Sequence, residues 1–512
     1  MLAKVLSFGL NGIDGYLVTI EVDISNGLPK FDIVGLGDTA IKESKERVKS
    51  AIKNSGYDYP VSSIVCNLAP ADRKKEGPHY DLGMAVAILC ATNQIDYKLT
   101  ENTIFIGELS LNGEVKKVNG VLPILIAAKE KGYKHFIIPQ ANYFEASFIE
   151  GITVNTVSSL FELVESYKNP DKKLKLVETS NFEKLKNEKS TQNMDMKNVK
   201  GQFSAKRALE IAAAGGHNIL MIGPPGSGKT MLAKCFPSIL PDMTFEEALE
   251  VTKIHSIAGA LDLSEGIILQ RPFRTPHHTA SNVSLVGGGT NSKPGEISLA
   301  HNGVLFLDEM PEYTRSFIET LRQPLEDGQI TVARANQTVT YPSSFILVAS
   351  MNPCPCGNYG SKKLECRCSP QQIHKYLSKL SGPIMDRIDL HVEVDNVTYD
   401  DLHSNEECES SAVIRERVNK AKEKQLKRFK GTKVYSNAKM NVVQTKKYCA
   451  LSEDAKQILQ LAFEKLNLSA RAHDRILKVA RTIADLAGEE NILPEHIAEA
   501  IQYRSLDRKY LI

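Results

Sequence analysis

The eight residues from Gly223 to Thr230 read GPPGSGKT, with the spacing G-x-x-x-x-G-K-T. Such a stretch can hold a chain of phosphates. Gly223, Pro224, Pro225, Gly226, Ser227 and Gly228 form a loop whose main-chain N–H groups can face phosphate oxygens. Lys229 would reach the β and γ phosphates, and the Thr230 hydroxyl would hold Mg²⁺. A second stretch, VLFLDE from Val304 to Glu309, places two carboxylates after four apolar residues. Asp308 is suited to hold Mg²⁺ through water, and Glu309 to orient and activate an attacking water. A third run, from Phe345 to Ser350, ends at Asn352, an amide suited to position that water beside Glu309. Together the three stretches imply binding and hydrolysis of a nucleoside triphosphate, with ATP and Mg²⁺ as cofactors.

Chemistry of this kind needs rigid elements. Ile219 to Ile222 reads as a short buried strand feeding the loop, and Thr230 opens a helix. Val304 to Leu307 reads as a parallel strand that delivers Asp308 and Glu309 at its carboxyl end, where ligands of α/β sheets bind. An Ala-rich helix, Ser204 to Ala214, precedes the loop strand, and Phe245 to Lys253 is a further helix. A long insertion, Arg271 to Gly303, is punctuated by Gly287-Gly288-Gly289 and Pro294-Gly295. A helix from Arg315 to Asp327 is followed by a hairpin, Ile330 to Ala333 and Thr338 to Tyr341. Its tip carries Arg334 and Asn336, a cation and an amide that could grip a nucleic-acid backbone or simply face solvent.

The chain has 512 residues, enough for about three domains. Its net charge of +2 excludes a chain-wide polyelectrolyte partner for nucleic acid, so any basic surface must be local. Apolar runs such as Leu82 to Ala91 fall far short of a membrane span, and the amino terminus is broken by Gly9, Asn11, Gly12 and Asp14. No membrane partner and a cytoplasmic location are expected. Of the nine cysteines, Cys354, Cys356, Cys366 and Cys368 crowd one loop as C-x-C…C-x-C, and the others are scattered. The four suit a tetrahedral structural Zn²⁺, against a reading as reduced free thiols.

The organisation expected is a P-loop core over residues 197–395, in which a parallel sheet is flanked by helices. Before it stand an α+β domain over 1–168 and a charged linker over 169–196, and after it an α-helical lid over 396–512. In the first domain Leu17 to Ile24 and Ser63 to Leu68 read as strands, and Thr39 to Asn54, Asp81 to Thr92 and Val121 to Lys131 as helices. Lid helices are expected at Ser411 to Phe429, Ser452 to Leu466, Ala470 to Leu486 and Pro494 to Arg504. The first of these carries a stripe of basic residues that reads either as a solvated face or as a surface for DNA.

Two resemblances add to this reading. Gly107 to Pro139 resembles the proteolytic domain of Lon-type proteases, and KEGPHYDLGMAVAIL, from Lys75 to Leu89, resembles the stretch carrying their nucleophilic serine. Here His79 stands at the nucleophile position, and the helix that should carry the partner lysine reads Gly120-Val121-Leu122-Pro123. With hydroxyl and amine both missing, proteolysis is not expected, and the domain resembles a degenerate copy kept for binding or assembly. Asp81 in that stretch reads as a helix cap.

The second resemblance covers the rest. GPPGSGKT, an insertion ending in PGEISLAHNGVLFLDE, a hairpin before SMNP, and LSGPIMDRIDL are similar to the magnesium-chelatase-like branch of AAA+ ATPases, and specifically to the YifB/ComM family. The resemblance implies a homo-oligomeric, hexameric ring in which Arg387 acts as an arginine finger on the neighbouring subunit's γ-phosphate. It also implies that Arg471 is the lid sensor, with Arg475 as a rival. The function implied is a DNA motor on single-stranded or branched DNA, in recombination or natural transformation; alternatives are a magnesium-chelatase-type subunit and a protein-remodelling ATPase.

Overall fold

Period-two burial builds the first sheet. Along Asp14–Ser25 the side chains of Tyr16, Val18, Ile20 and Val22 all turn to the core. This strand pairs antiparallel with Leu2–Asn11, in register from Leu2 opposite Asp23 to Asn11 opposite Asp14. That amino-terminal run, to which the sequence pattern assigns no element, is a ten-residue strand. The fold is that of a computed structural model describing residues 2–188, 194–262, 264–289, 292–334, 337–360, 364–397, 408–432, 434–466, 468–504 and 506.

The first sheet has eight strands, in the spatial order Lys175–Leu176, Thr153–Val157, His135–Pro139, Thr103–Phe105, Leu2–Asn11, Asp14–Ser25, Ser63–Ala69 and Lys30–Val34. The helix Asp81–Ala91 is apolar on all sides, and all its residues are buried between this sheet and the helix Thr39–Asn54. Asp81 does not cap it. The cap position is Tyr80, and the Asp81 carboxylate accepts instead from Arg47 Nε at 2.7 Å and from the Leu109 N–H at 3.3 Å.

Residues 169–188 are not the free connector their charge suggested. Lys175–Leu176 adds a strand to the sheet edge beside Thr153–Val157, and Phe182, on the helix Phe182–Glu188, is buried with Phe148, Met243 and Ala248. Edge pairing uses main-chain bonds and so needs no apolar periodicity. Of the rest of the expected linker, residues 189–193 lie outside the described residues, and Met196 is fully buried in the core of the next domain.

The second sheet is fully parallel, ordered Phe273–Arg274, Val304–Leu307, Ile346–Met351, Ile219–Ile222, Leu390–Glu393. Every residue of Ile219–Ile222 and Val304–Leu307 is buried, as expected of strands covered on both faces. The helix expected over Arg315 to Asp327 is two, Arg315–Thr320 and Arg322–Asp327. Pro324 explains the break, because it has no N–H to continue the ladder back to Thr320.

The carboxyl-terminal part is helical: Ser411–Arg428, Val442–Tyr448, Glu453–Leu466, Ala470–Ala487 and Pro494–Gln502. On the first, Ile414, Val418 and Ala421 are buried as the pattern required. Several of its cations are engaged within the fold. Arg417 pairs with Glu210 and Glu409, Arg428 pairs with Asp485, and Lys422 and Lys424 donate to the carbonyls of Tyr435 and Gly488.

The two α/β units meet along the helices Val121–Glu130 and Phe245–Ala258. The Gly120 N–H donates to Ser256 Oγ at 3.0 Å, and the buried Glu145 carboxylate accepts from Ser256, from the Leu122 N–H at 2.9 Å and from Asn142 at 2.9 Å. Among the described residues no helix is long and apolar enough to cross a membrane.

Candidate nucleotide site

Gly223 to Lys229 leaves the strand Ile219–Ile222, which lies between Ile346–Met351 and Leu390–Glu393, and turns into the helix Lys229–Cys235. The turn needs glycine at 226 and 228, where φ is +77 and +90 with no neighbour crowding either Cα. The Lys229 ammonium is buried and donates to the carbonyls of Gly223 at 2.7 Å and Pro224 at 2.8 Å, with Asn352 Oδ1 at 3.4 Å. Burial lowers its pKa, while the facing carboxylates of Asp308 and Glu309 oppose that shift. The ammonium is therefore held by neutral oxygens that a phosphate can replace.

The Thr230 hydroxyl donates to Asp308 Oδ2 at 3.0 Å. Both are hard oxygen donors, and their convergence fits Mg²⁺. The other Asp308 oxygen accepts from Ser350 Oγ, which in turn accepts from the Glu309 N–H at 3.1 Å. Glu309 holds φ +50, a left-handed conformation that costs a non-glycine residue about 1–3 kcal/mol. Ser350 fixes that strained peptide, so the Glu309 side chain leaves the strand end at a set angle.

Sequence reasoning missed two residues here. Ser350 was legible, because a strand residue two before Asn352 shares its face. Gln202 carried no local signal: it sits at φ +59 and donates its side-chain amide to the carbonyls of Ser227 at 3.1 Å and Asp395 at 2.5 Å, tying the loop to the following strand.

Arg387 lies elsewhere. It precedes by three residues the strand Leu390–Glu393, whose Leu390 pairs with Ile219 at the amino end of the loop strand. The phosphate loop leaves the other end of a four-residue strand, about 13 Å away. Arg387 is buried, with its guanidinium donating to Glu326 and to the Pro383 carbonyl. Next to it, Asp389 is buried among Arg475, His217 and the Asn218 N–H. Burial would raise the Asp389 pKa, but Arg475 and His217 outweigh it and hold the carboxyl well below its usual range. Arg475 is thus committed to Asp389, whereas Arg471 is exposed, 4.0 Å from Asp386 and on the Arg387 side of the sheet.

In the hairpin Gln329–Arg334 and Gln337–Pro342, Val339 lies so close to the Gly12 turn of the first domain that a Cβ on Gly12 would sit 2.2 Å from it. The Arg334 side chain and Asn336 lie outside the described residues.

The four loop cysteines converge, their sulfurs all within 4.8 Å of one another. Cys354 Sγ is 3.4 Å from Cys356 and 3.7 Å from Cys366, and Cys356 is 3.7 Å from Cys366. Four sulfurs about 2.3 Å from one tetrahedral ion lie about 3.8 Å apart, so the set fits a metal. N–H groups of Asn358 and Arg367 draw the Cys356 thiol down to about 6.

In the first domain, the half-buried His79 ring has Nε2 3.1 Å from the Phe8 carbonyl oxygen and lies tilted against the Tyr80 ring, centroids 4.0 Å apart. Burial lowers its pKa to about 4.

Comparison with known proteins agrees with this geometry. The family described as magnesium chelatase, subunit ChlI, matches residues 195–402, with subunit ChlI of Mg-chelatase matching 20–142 and its C-terminal family 408–504. The chain is 45% identical to Competence protein ComM of Haemophilus influenzae, over 99% of this chain and 98% of that one. It is 43% identical to the uncharacterized protein YifB of Salmonella typhimurium, over 97% and 96%. Residues of the chain are also 30% identical to Lon protease 2 of Bacillus subtilis over 30% of each chain. The AAA+ core, Lon-like first domain and helical lid together make this chain a member of the YifB/ComM family of magnesium-chelatase-like AAA+ ATPases, for which ATP and Mg²⁺ are the implied cofactors.

Proposed function

We propose that the chain is a ring-forming AAA+ motor that hydrolyses ATP to act on DNA, in competence or recombination. The observation that carries it is the division of the catalytic groups between the two ends of one sheet. Lys229, Thr230, Asp308, Glu309 and Asn352 converge at the carboxyl end, while Arg387 stands at the amino end, too far to serve the same loop. A head-to-tail ring, taken as a hexamer, brings the two ends together.

In this reading the loop from Gly223 to Thr230 binds the phosphates, and Lys229 releases the Gly223 and Pro224 carbonyls to meet them. Thr230 and Asp308 hold Mg²⁺, which would offset charge on the transferring phosphoryl group. Glu309 takes the proton of the attacking water, Asn352 orients that water, and Arg387 of one subunit stabilises the phosphoryl group bound by the next. Arg471, exposed beside Asp386, reaches the same shared site. The cysteine loop holds Zn²⁺ in a structural role, about one per chain. The Lon-like domain, with a histidine where a nucleophile would stand, has no proteolytic role and serves assembly.

DNA enters the proposal through the relationship to a competence protein over nearly the whole chain, and through a hairpin whose tip, Arg334 to Asn336, would contact the phosphate backbone. The test is ATP turnover with and without single-stranded or forked DNA. Stimulation of several-fold that fades as salt rises supports the motor. No stimulation together with no salt-sensitive DNA binding contradicts it, and stimulation by a porphyrin and its metal instead would favour a chelatase subunit.

A further inference from the structure

The cysteine loop sits directly against the phosphate loop. Cys354 follows Asn352 by two residues and is fully buried. Its carbonyl accepts from the Gly357 N–H at 2.9 Å and its sulfur from the Tyr359 N–H at 3.3 Å. This tight turn lays Gly357 on the ring of Pro225. A Cβ at Gly357 would lie 2.4 Å from Pro225 Cδ and 2.9 Å from Cγ. Gly357 also holds φ +79, so the position calls for glycine by conformation and by contact.

Pro225 adjoins the two carbonyls, of Gly223 and Pro224, that hold the Lys229 ammonium. On its other flank the same loop begins at Asn352, which also touches Lys229. The turn that carries Gly357 is thus clamped between the water-positioning amide and the loop itself. The turn goes with a convergence of Cys354 and Cys356 on Cys366 and Cys368, ten or more residues later, and a shared metal ion would hold that convergence far more firmly than the weak contacts between separate thiols.

We propose that the metal-held cysteine loop is a brace for the phosphate loop, so that nucleotide affinity depends on metal occupancy at a site that touches no phosphate. The inference rests on the Zn²⁺ reading of these cysteines. It makes the metal a regulator of ATP binding rather than a passive staple, and it places a thiol-reactive, metal-dependent control one proline ring away from the nucleotide.

The test uses the purified full chain. Zinc is measured by elemental analysis, and affinity for a non-hydrolysable ATP analogue with Mg²⁺ by calorimetry, before stripping with a zinc-selective chelator, after it, and after Zn²⁺ is returned. Circular dichroism monitors folding throughout. The expected result is about one zinc per chain, a Kd that rises about tenfold on stripping, and recovery on adding Zn²⁺. Gly357→Ala should keep its zinc and show a similar loss. Adding Pro225→Ala should return most of it relative to Pro225→Ala alone, because the new methyl then meets no ring carbons. Stripping without change in Kd, or Gly357→Ala binding like the unaltered chain, overturns the brace and leaves the metal standing. A chain purified without zinc overturns both. Should stripping unfold the protein, the Gly357→Ala and Pro225→Ala cycle decides.

Discussion

The two ends of the five-stranded sheet hold their cations in opposite ways. At the carboxyl end, Lys229 rests on neutral carbonyls, and Asp308 accepts from the hydroxyls of Thr230 and Ser350. Phosphate can take over the contacts of Lys229 at little desolvation cost, because the ammonium is already met by carbonyl dipoles, and Mg²⁺ can be held between Thr230 and the Asp308 carboxylate. At the amino end, Arg387 faces Glu326 and Arg475 faces Asp389, each cation already paired with a carboxylate. In the proposed ring the difference marks which end would receive and which would present: the first can release Lys229 to an anion, the second holds Arg387 and Arg475 against counter-charges. The two pairs also differ from each other. Glu326 is 52% exposed and can yield Arg387 to a competing phosphate, whereas Asp389 at 5% is locked in place and anchors the lid helix through Arg475.

The comparison breaks most sharply at Arg387. Arg387→Ala should leave ATP affinity unchanged while lowering turnover by about 10³-fold, as removal of an arginine finger does. Equilibrium binding and steady-state hydrolysis on the same preparation check this; a parallel loss of binding would place Arg387 in a structural role. Lys229→Ala should instead abolish binding itself.

Asp389 sharpens the other half. Asp389→Asn should destabilise the fold by about 3 kcal/mol at pH 7, since it removes the buried carboxylate that pairs with the half-buried Arg475 and with His217. The Asp389 carboxyl is held below its unfolded pKa of about 3.9, so its stabilisation is complete above that pH and declines as pH falls below it. The gap between the two proteins in denaturant melts should therefore narrow below about pH 4, and a gap that widens there would contradict the pairing.

Ser350 is the gentlest probe. Ser350→Ala removes the hydroxyl that holds both Asp308 and the strained Glu309 peptide. Turnover should fall about tenfold, equivalent to about 1.4 kcal/mol, with a higher Mg²⁺ requirement and little change in ATP affinity. A Mg²⁺ titration of turnover separates that outcome from a general loss of folding.

The carboxyl end of the sheet was largely legible in the sequence, and the amino end was not, for a physical reason. Gly223 to Thr230, Asp308, Glu309 and Asn352 each follow an apolar run, so residue order alone delivers them to one edge of a parallel sheet. The partners at the other end are set by long-range contact. Glu326 meets Arg387 from 61 residues away, and His217 meets Asp389 from 172. No periodicity encodes such pairs, and the acids nearest Arg387 along the chain, Asp386 and Asp389, lie against Arg471 and Arg475 instead. The same limit explains the basic helix Ser411–Arg428, whose cations looked free until Glu210 and Asp485 arrived from distant elements. It also explains residues 169–188, where Phe182, a two-residue edge pairing and a few partly buried apolar side chains such as Leu174, Val177 and Leu185 dock a segment that is polar on average.

A shared active site is tested most directly by complementation. Lys229→Ala subunits keep the finger and lose the loop, whereas Arg387→Ala subunits keep the loop and lose the finger, so each alone should be inactive. Mixed in equal amounts and allowed to assemble together, they should recover about a quarter of the unaltered turnover, since random pairing joins an intact loop to an intact finger at that frequency. A co-assembled mixture that stays inactive, or Arg387→Ala turning over ATP at full rate by itself, would contradict catalysis across the subunit boundary.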